Sequence, residues 1–211
     1  MMKLLKTLTL LIEQTEDYLF IIPKKVSEIK GTTWAKILNH LSEWECFSSV
    51  AYDDHYFNGC DNIKAFDHTR YREDEDGNQN PGGTLTIGYG HTQDVKEGDT
   101  MTKPEALKHL KTFLKTDPSG ADAITDIMGK WSSEGNKSIT KITEDMFVSM
   151  VSLAYNAGRA PVWNSDWIQD VKKGNFNDAS EEIKSWRTDA GGNPTEGLVN
   201  RRGDESQAFD T

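Results

Sequence analysis

Apolar residues recur at helical spacing along most of this chain, and that periodicity limits the possible folds more than any other feature of the sequence. Spacings of three and four residues place apolar side chains on one face of a helix, where they pack against a core. Such stripes occupy residues 34–47, 121–131, 147–154 and 176–186, and a further helix is expected over 197–209. The chain is therefore predicted to be mainly helical, and the Trp residues within the stripes need no cofactor to explain them.

One short strand interrupts the helical pattern. Residues 84–87 form a short run with flanking glycines, which predicts one arm of a β-hairpin. The sequence Thr102-Lys-Pro-Glu105 has the form of a capping box with proline in the first turn, so a helix is expected from there to about Lys115. The predicted class is α+β, with a small β-hairpin lobe and a larger, mostly helical lobe.

Length and charge exclude several classes of protein. The 211 residues are 36% hydrophobic, which suffices for one large domain. Lys and Arg number 24 against 34 Asp and Glu, and the net charge of -10 makes nucleic acid an unexpected partner, because the chain repels phosphate backbones. The longest apolar stretches fall far short of the roughly 20 residues that a membrane span requires.

Two segments differ in composition from the rest. Residues 1–31 are interpreted as an N-terminal extension or linker of unknown role, and residues 32–211 as one domain. Residues 55–83 are rich in Asn, Asp and Gly and are interpreted as a long acidic loop inserted in that domain. An acidic run within the loop has its glycine too early for an EF-hand, so no metal site is expected.

The two cysteines and the first residues bear on the compartment. Cys46 and Cys60 are too few for a disulfide scaffold and lack the paired spacing of a zinc site. One bridge between them is compatible with the sequence, but we expect two free thiols because nothing else indicates an oxidising compartment. Threonines break the apolar run at the start of the chain and no small-residue cleavage site follows, so we expect synthesis in the cytoplasm without a cleaved signal peptide.

The most informative side chain is a carboxylate on an apolar helix face. Projected down a helix, Glu45 lies about 20° from Trp34 and about 20° from Leu38, on the stripe itself. Burial there disfavours the charged form and raises the pKa, unless a cation or hydrogen-bond donors compensate. Two interpretations stay open: a structural ion pair near a helix end, or a general acid that keeps its proton near neutral pH.

A second carboxylate, Asp54, follows in a polar setting where it should stay ionised. Hydrolysis of a glycosidic bond needs two carboxyl groups in contrasting surroundings, one to protonate the leaving oxygen and one to stabilise charge or activate water. The spacing alone is weak evidence, because the chain contains many Glu/Asp pairs.

Longer motifs strengthen this interpretation. Glu45, Ala51-Tyr52 and Asp54 are followed by Thr86-Ile-Gly-Tyr-Gly-His91-Thr92. Three later blocks accompany them: Ser152-Leu-Ala-Tyr-Asn-Ala-Gly158, the helix from Gly174-Asn-Phe-Asn-Asp-Ala179 to Trp186, and Gly197-Leu-Val-Asn-Arg-Arg202 with Glu205. In this order, over about residues 43–211, the chain resembles the phage-type lysozymes of glycoside hydrolase family 24. Several blocks in register are far more specific than any one of them.

The resemblance implies a lysozyme-like fold with the active-site cleft between its two lobes, residues 32–211 being the catalytic domain. It implies a muramidase that cleaves the β-1,4 bond between N-acetylmuramic acid and N-acetylglucosamine in peptidoglycan, with no cofactor. By motif position, Glu45 matches the catalytic acid, Asp54 the catalytic carboxylate and Thr86 the threonine that helps hold the attacking water. Family members of this type invert the anomeric carbon, which requires carboxyl groups about 6.5–9.5 Å apart.

Substrate contacts are predicted from the later blocks. Asn156 is expected to hydrogen-bond an acetamido or hydroxyl group of the substrate. Arg201 and Arg202 are candidates for the cation near Glu45 or for contacts to stem-peptide carboxylates. They point about 100° apart on a helix, so at most one should face the cleft, and Arg201 is preferred. His91 is interpreted as structural, since the family motif places its histidine behind the hairpin.

The sequence departs from the family pattern at two places. Cys46 replaces the usual glycine after the glutamate. Asp54 and Thr86 are 32 residues apart, where compact members need a handful, although loop-closure entropy makes such an insertion cheap. The insertion makes other acids candidates for the role of Asp54, which is preferred because it alone keeps the motif's spacing; these acids are Asp53, Asp61 and Asp67.

The expected partner is bacterial peptidoglycan, reached by a monomer in the periplasm or cell wall after holin release or secretion. The acidic surface suggests delivery by a carrier, so a free endolysin, an effector module and a phage structural module all stay open, as does an immunity or inhibitor protein as a partner. Two other functions are alternatives: a non-catalytic peptidoglycan-binding module, and a lytic transglycosylase, which needs the glutamate but no aspartate.

Overall fold

A computed structural model describes residues 20–54, 83–116, 120–188 and 192–210. The chain divides into two compact units, residues 34–113 forming one and residues 1–33 with 114–211 forming the other. Almost all of the predicted acidic loop, including Asp61 and Asp67, lies outside the described residues.

In its described residues, the unit of residues 34–113 contains two helices and two strands. Helix α1 covers Gly31–Trp44, strand β1 Ser48–Asp53, strand β2 Leu85–Gly88 and helix α2 Lys103–Thr116. The apolar stripe of α1 is buried as predicted, with Ile37 and Leu41 at most 1% exposed. The helix ends at Trp44, earlier than the stripe suggests. The backbone nitrogen of Glu45 still donates to the carbonyl of Leu41, at 2.7 Å.

Strands β1 and β2 form an antiparallel pair. Tyr52 pairs with Thr86 and Asp53 with Leu85, and an irregularity lies between Ser48 and Tyr52. The predicted hairpin arm is thus confirmed, one residue later than expected. Gly88 at the end of β2 has φ +67°, and a Cβ there would come within 2.9 Å of the Met101 sulfur, so only glycine fits this position.

Helix α2 begins as its sequence predicts. The Glu105 carboxylate accepts hydrogen bonds from the backbone nitrogen and the hydroxyl of Thr102, at 2.8 and 2.7 Å. These bonds fix the first turn of the helix, which then runs through Thr116, one residue past the predicted end.

The second unit is mainly helical in its described residues. Its α-helices are α3 Ala121–Ser133, α4 Glu144–Ala157, α5 Arg159–Trp163, α6 Asp166–Lys173, α7 Phe176–Ser185 and α8 Glu196–Gln207, with 3-10 helices at Val26–Glu28 and Lys137–Lys141. Helix α3 packs on α4, α4 on α8, and α7 on both α6 and α8. The predicted stripes face this core, where Trp167 meets the ring of Phe209 edge-on at 5.9 Å.

Part of the predicted N-terminal extension belongs to this core. The ring of Phe20 lies 5.6 Å from that of Phe147, and Ile29 is only 7% exposed. Residues 20–29 therefore contribute apolar contacts to the unit. No helix in the described part of the chain is long and apolar enough to cross a membrane.

The expectation of two free thiols is wrong, because Cys46 is disulfide-bonded. That expectation depended on the cellular compartment, which the sequence indicates only indirectly, and not on the geometry of the chain. The other cysteine of the sequence, Cys60, lies outside the described residues.

Candidate active site

Glu45 follows directly on the C-terminal end of α1 and is half-buried. The sequence projection placed it on the apolar face of a continuing helix. Because the helix has ended at Trp44, Glu45 lies in the bend between α1 and the first strand. This position combines a fixed backbone with partial access to solvent, which a proton donor to a bound ligand requires.

Tyr52 and Thr86 form a directly opposed pair across the two-stranded ladder. Opposed residues in an antiparallel pair project from the same face of the sheet. Asp54 follows directly after Asp53, the last residue of β1. It stays in register with β2, since its backbone nitrogen donates to the Thr84 carbonyl at 3.2 Å and its Oδ1 accepts from the Thr84 nitrogen at 2.6 Å.

The phenol of Tyr52 connects the two predicted catalytic carboxylates. Burial raises its pKa above the ordinary value, and the negative charges of Asp54 and of Glu45 raise it further. Glu45 and Asp54 therefore both act electrostatically on one hydroxyl group, that of the strand partner of Thr86.

Asp53, the neighbouring candidate acid, has a different environment. It is 6% exposed, and its Oδ1 accepts a 2.7 Å hydrogen bond from the backbone nitrogen of Gly83. Alternation along β1 directs it away from the face that carries Tyr52. Asp54 is exposed, so of the two adjacent acids it has the access that a reacting group needs.

The hydroxyl of Thr86 is held in one orientation. Thr86 is 4% exposed, and its Oγ1 donates to the carbonyl of Thr84 at 3.1 Å. With its proton engaged, the oxygen faces any bound water as a hydrogen-bond acceptor.

His91 lies beside the hairpin. Its backbone exchanges two hydrogen bonds with Ile87, and its ring lies 4.7 Å from that of His109. Burial and the neighbouring His109 lower its pKa below the ordinary value, against smaller opposing effects of Gln93 and Asp94.

Asn156 lies in the other unit, at the C-terminal end of α4. Its exposed side chain lines a cavity of about 460 Å³ with Trp186, Leu198 and Arg202. Arg202 donates to the Oδ1 atom of Asn156 and, at 2.9 Å, to the carbonyl of Trp186. Arginine has no acceptor, so the amide oxygen must face Arg202 and the amide NH2 group faces the cavity.

Arg201 and Arg202 share one buried carboxylate. Glu205 is fully buried and accepts from Arg201 at 3.1 Å, from Arg202, and from the hydroxyl of Ser152 at 2.6 Å. Arg201 also donates to Ser152 and is 4% exposed. Arg202 makes the contact with Asn156. Arg201 was preferred as the arginine that faces the cleft, and its contact with a substrate stays a prediction.

Tyr52 was not predicted as a functional residue, and the contact between Arg202 and Asn156 was not predicted either. The sequence feature that could have indicated Tyr52 is its position two residues before Asp54. For the arginines, the positions three and four residues before Glu205 would have indicated that both reach one carboxylate.

A hairpin that carries a tyrosine, a threonine and two nearby carboxyl groups, in a mostly helical α+β protein, defines a lysozyme-like class. The sequence model of the Phage lysozyme family matches residues 64–205, more than half of the chain. The chain therefore belongs to that family. The matched segment contains Thr86, Asn156 and Arg201 and begins after Glu45 and Asp54.

Individual proteins agree with this assignment. The chain is 31% identical over 125 residues to the endolysin of Bacillus phage B103, covering 59% of this chain and 42% of the relative. It is 26% identical over 132 residues to the endolysin of Acyrthosiphon pisum secondary endosymbiont phage 1, covering 61% and 82%. The chain thus spans less than half the length of the Bacillus phage relative.

A solved structure shows the same fold. The muramidase domain of SpmX from Asticaccaulis excentricus superposes with a TM-score of 0.54 at 19% identity, over 87% of this chain and 98% of the domain. The α+β, lysozyme-like class predicted from the sequence is thereby confirmed.

Proposed function

We propose that the protein is a muramidase of bacterial cell-wall lysis, which hydrolyses the β-1,4 bond between N-acetylmuramic acid and N-acetylglucosamine in peptidoglycan. Membership of the phage lysozyme family and similarity to endolysins support the substrate class. The observation that carries the proposal is the phenol of Tyr52, whose pKa responds to both Glu45 and Asp54 while its strand partner is Thr86. Two carboxyl groups beside one hydroxyl-bearing hairpin are what glycosidic hydrolysis requires.

Glu45 is the general acid of the proposed reaction. Half-buried at the end of α1, it gives its proton to the glycosidic oxygen as the bond to the anomeric carbon breaks. Exposed Asp54 acts as the base that takes a proton from the attacking water. Pairs of this kind invert the anomeric carbon when a water fits between the sugar and the base.

Thr86 orients that water. Its hydroxyl proton is engaged by the Thr84 carbonyl, so its oxygen accepts one hydrogen of the water while Asp54 accepts the other. Both hydrogens are then held, and a lone pair of the water is directed at the anomeric carbon. A fixed hydroxyl reduces the entropy cost of ordering the nucleophile.

Asn156 binds the substrate through its amide NH2 group. Since Arg202 donates to the amide oxygen, the NH2 group is the part of Asn156 left to donate, and its matching group is an acceptor such as an acetamido carbonyl. Arg201, which is paired with Glu205, is the second proposed substrate contact.

The test is a digest of purified sacculi, analysed by mass spectrometry. The wild-type protein is expected to release muropeptides with free reducing ends, whereas Glu45→Gln releases none and keeps its melting temperature within a few degrees. Glu43→Gln is the matched control, because Glu43 is an exposed glutamate two residues earlier, in α1.

Other outcomes identify the alternative functions. Anhydro-sugar products would identify a lytic transglycosylase. Sedimentation with sacculi without any product would identify a non-catalytic binding module. Full activity in Glu45→Gln would contradict the assignment of the acid.

The proposed place of action is the cell wall, reached by holin release or by a secretion machine. The net charge of -10 disfavours free adsorption to an anionic wall, which supports delivery by a carrier.

A further inference from the structure

A second cavity lies in the unit that contains residues 114–211, where helices α3, α5 and α6 meet. It has a volume of about 140 Å³, and none of the residues assigned above to catalysis or substrate binding lines it. Its walls combine two indole rings with charged and amide groups, namely Trp131, Trp163, Lys130, Lys172, Glu134 and Gln169.

The two indoles differ in exposure. Trp131 is 5% exposed and belongs to the core, whereas Trp163 is 38% exposed at the end of the short helix α5. A tryptophan that leaves over a third of its surface in water forgoes much of the stabilisation that its burial would give. Indoles are frequent at binding surfaces because they combine a large apolar face with one donor.

Each of the two lysines beside the indoles forms an ion pair with a carboxylate. Lys172 lies 5.8 Å from the centre of the Trp131 ring and 2.9 Å from Glu134. Lys130 lies 5.2 Å from the centre of the Trp163 ring and 2.7 Å from Asp126. These pairs arrange donors and acceptors around the cavity while leaving it with little net charge.

Size and charge together restrict the ligand. A cavity of about 150 Å³ holds one benzene-sized ring, so this cavity of about 140 Å³ takes up only part of a larger ring ligand, the rest of which lies outside over exposed Trp163. A strongly anionic ligand would meet Glu134 and a strongly cationic one would meet Lys172. An uncharged ring with an apolar face and several hydroxyl or amide groups can contact both the indole rings and the charged and amide side chains that line the cavity.

We propose that this cavity binds one N-acetylated sugar residue of a glycan strand, as a second glycan site in addition to the catalytic one. The apolar face of the sugar packs on Trp163, and its hydroxyl and acetamido groups reach Lys172, Glu134 and Gln169. The identity of the glycan as peptidoglycan rests on the proposed function. A second contact with the same polymer raises the local concentration of chain at the enzyme.

Binding is tested with the N-acetylglucosamine tetramer as the probe. The full-length Glu45→Gln protein is titrated while the indole NH signals of its six tryptophans are followed by NMR. The signals of Trp163 and Trp131 are expected to shift in a saturable way, with Kd in the millimolar range. Gln169→Ala, an exposed change that leaves both indoles in place, should weaken this binding several-fold. Absence of a saturable shift at these two indoles would overturn the proposal.

Activity on a polymer gives the second readout. In Trp163→Ala, the rate on insoluble sacculi should fall about tenfold relative to the rate on soluble glycan oligomers, because only the polymer engages both sites. Phe113→Ala is the matched control, since Phe113 is another exposed aromatic residue outside this cavity, and its ratio should equal that of the wild type.

The two proposals fail in different ways. Equal losses on both substrates in Trp163→Ala would overturn the second glycan site while leaving the muramidase proposal intact. Saturable shifts at Trp163 in a wild-type protein without turnover would overturn the muramidase proposal and support the glycan site.

Discussion

The carboxylates of the two units differ in how they are held. In the unit containing residues 114–211, Glu205 is fully buried and accepts hydrogen bonds from two arginines and a serine. In the unit of residues 34–113, Glu45 is half-buried and Asp54 is exposed, and both lie near the phenol of Tyr52. A buried carboxylate between two cations maintains the fold, whereas accessible carboxyl groups beside a hydroxyl can exchange protons with a ligand.

The largest expected effect separates two adjacent acids. Asp54→Asn should lower kcat about 10²–10⁴-fold, the usual contribution of a general base, with little change in melting temperature. Asp53→Asn should cost less than tenfold in kcat, because Asp53 is buried whereas Asp54 is exposed, although each accepts a hydrogen bond from a backbone nitrogen. The measurement is kcat on soluble glycan oligomers. A larger loss of kcat in Asp53→Asn than in Asp54→Asn would contradict the assignment of Asp54 as the reacting acid.

The next effect concerns stability. Glu205→Gln leaves two buried arginines without their shared counter-charge, and the expected loss is about 3–5 kcal/mol in the free energy of unfolding. Urea denaturation measures it. Glu196→Gln is the control on the same helix, since Glu196 is exposed, and should change stability by less than about 1 kcal/mol. Equal stabilities of the two variants would show that the buried network does not hold α8 in place.

The third expected effect concerns the contribution of Tyr52 to kcat. Burial and the two nearby carboxylates raise its pKa, so the phenol stays protonated and can donate. Tyr52→Phe removes that donor, and kcat should fall about tenfold, in keeping with one hydrogen bond to a charged group. KM and the melting temperature should change little. A rise in KM without loss of kcat would instead make Tyr52 a substrate contact.

The smallest expected effect is a pH dependence of stability. The pKa of His91 is lowered by burial and by His109, so the folded state binds this proton more weakly than the unfolded state. The stabilisation is complete above the unfolded pKa of about 6.5 and is lost as pH falls toward the lower folded pKa.

The His109→Gln variant tests this dependence. It removes one cause of the lowered pKa, so the fall in melting temperature between pH 7.5 and 5.5 should shrink by about 1 °C. Melting curves at both pH values measure the difference. A larger fall in the variant than in the wild type would contradict the assignment.

Local signals predicted most of the fold. The apolar stripes identified buried helix faces, and the Thr102–Glu105 pair identified the start of α2, because both patterns depend only on neighbouring residues. The end of α1 was placed too late, since Phe47 continues the apolar spacing although the backbone has already left the helix at Trp44.

The candidate site was less predictable, because its arrangement depends on contacts between distant residues. Spacing favoured Asp54 over Asp53, but the reason for their different access lies in the ladder with β2, which the sequence does not specify. The choice between Arg201 and Arg202 used only the angle between them, and two long side chains can reach the same carboxylate despite that angle. The disulfide of Cys46 likewise depends on tertiary geometry.

The most direct test of the account is the configuration of the first product. Proton NMR of a freshly started digest of soluble glycan oligomers distinguishes the two anomers before they equilibrate. If Glu45 protonates the leaving oxygen while Asp54 and Thr86 hold the attacking water, the first reducing ends carry the α configuration. First products in the β configuration, or anhydro sugars without reducing ends, would contradict this arrangement of acid, base and water.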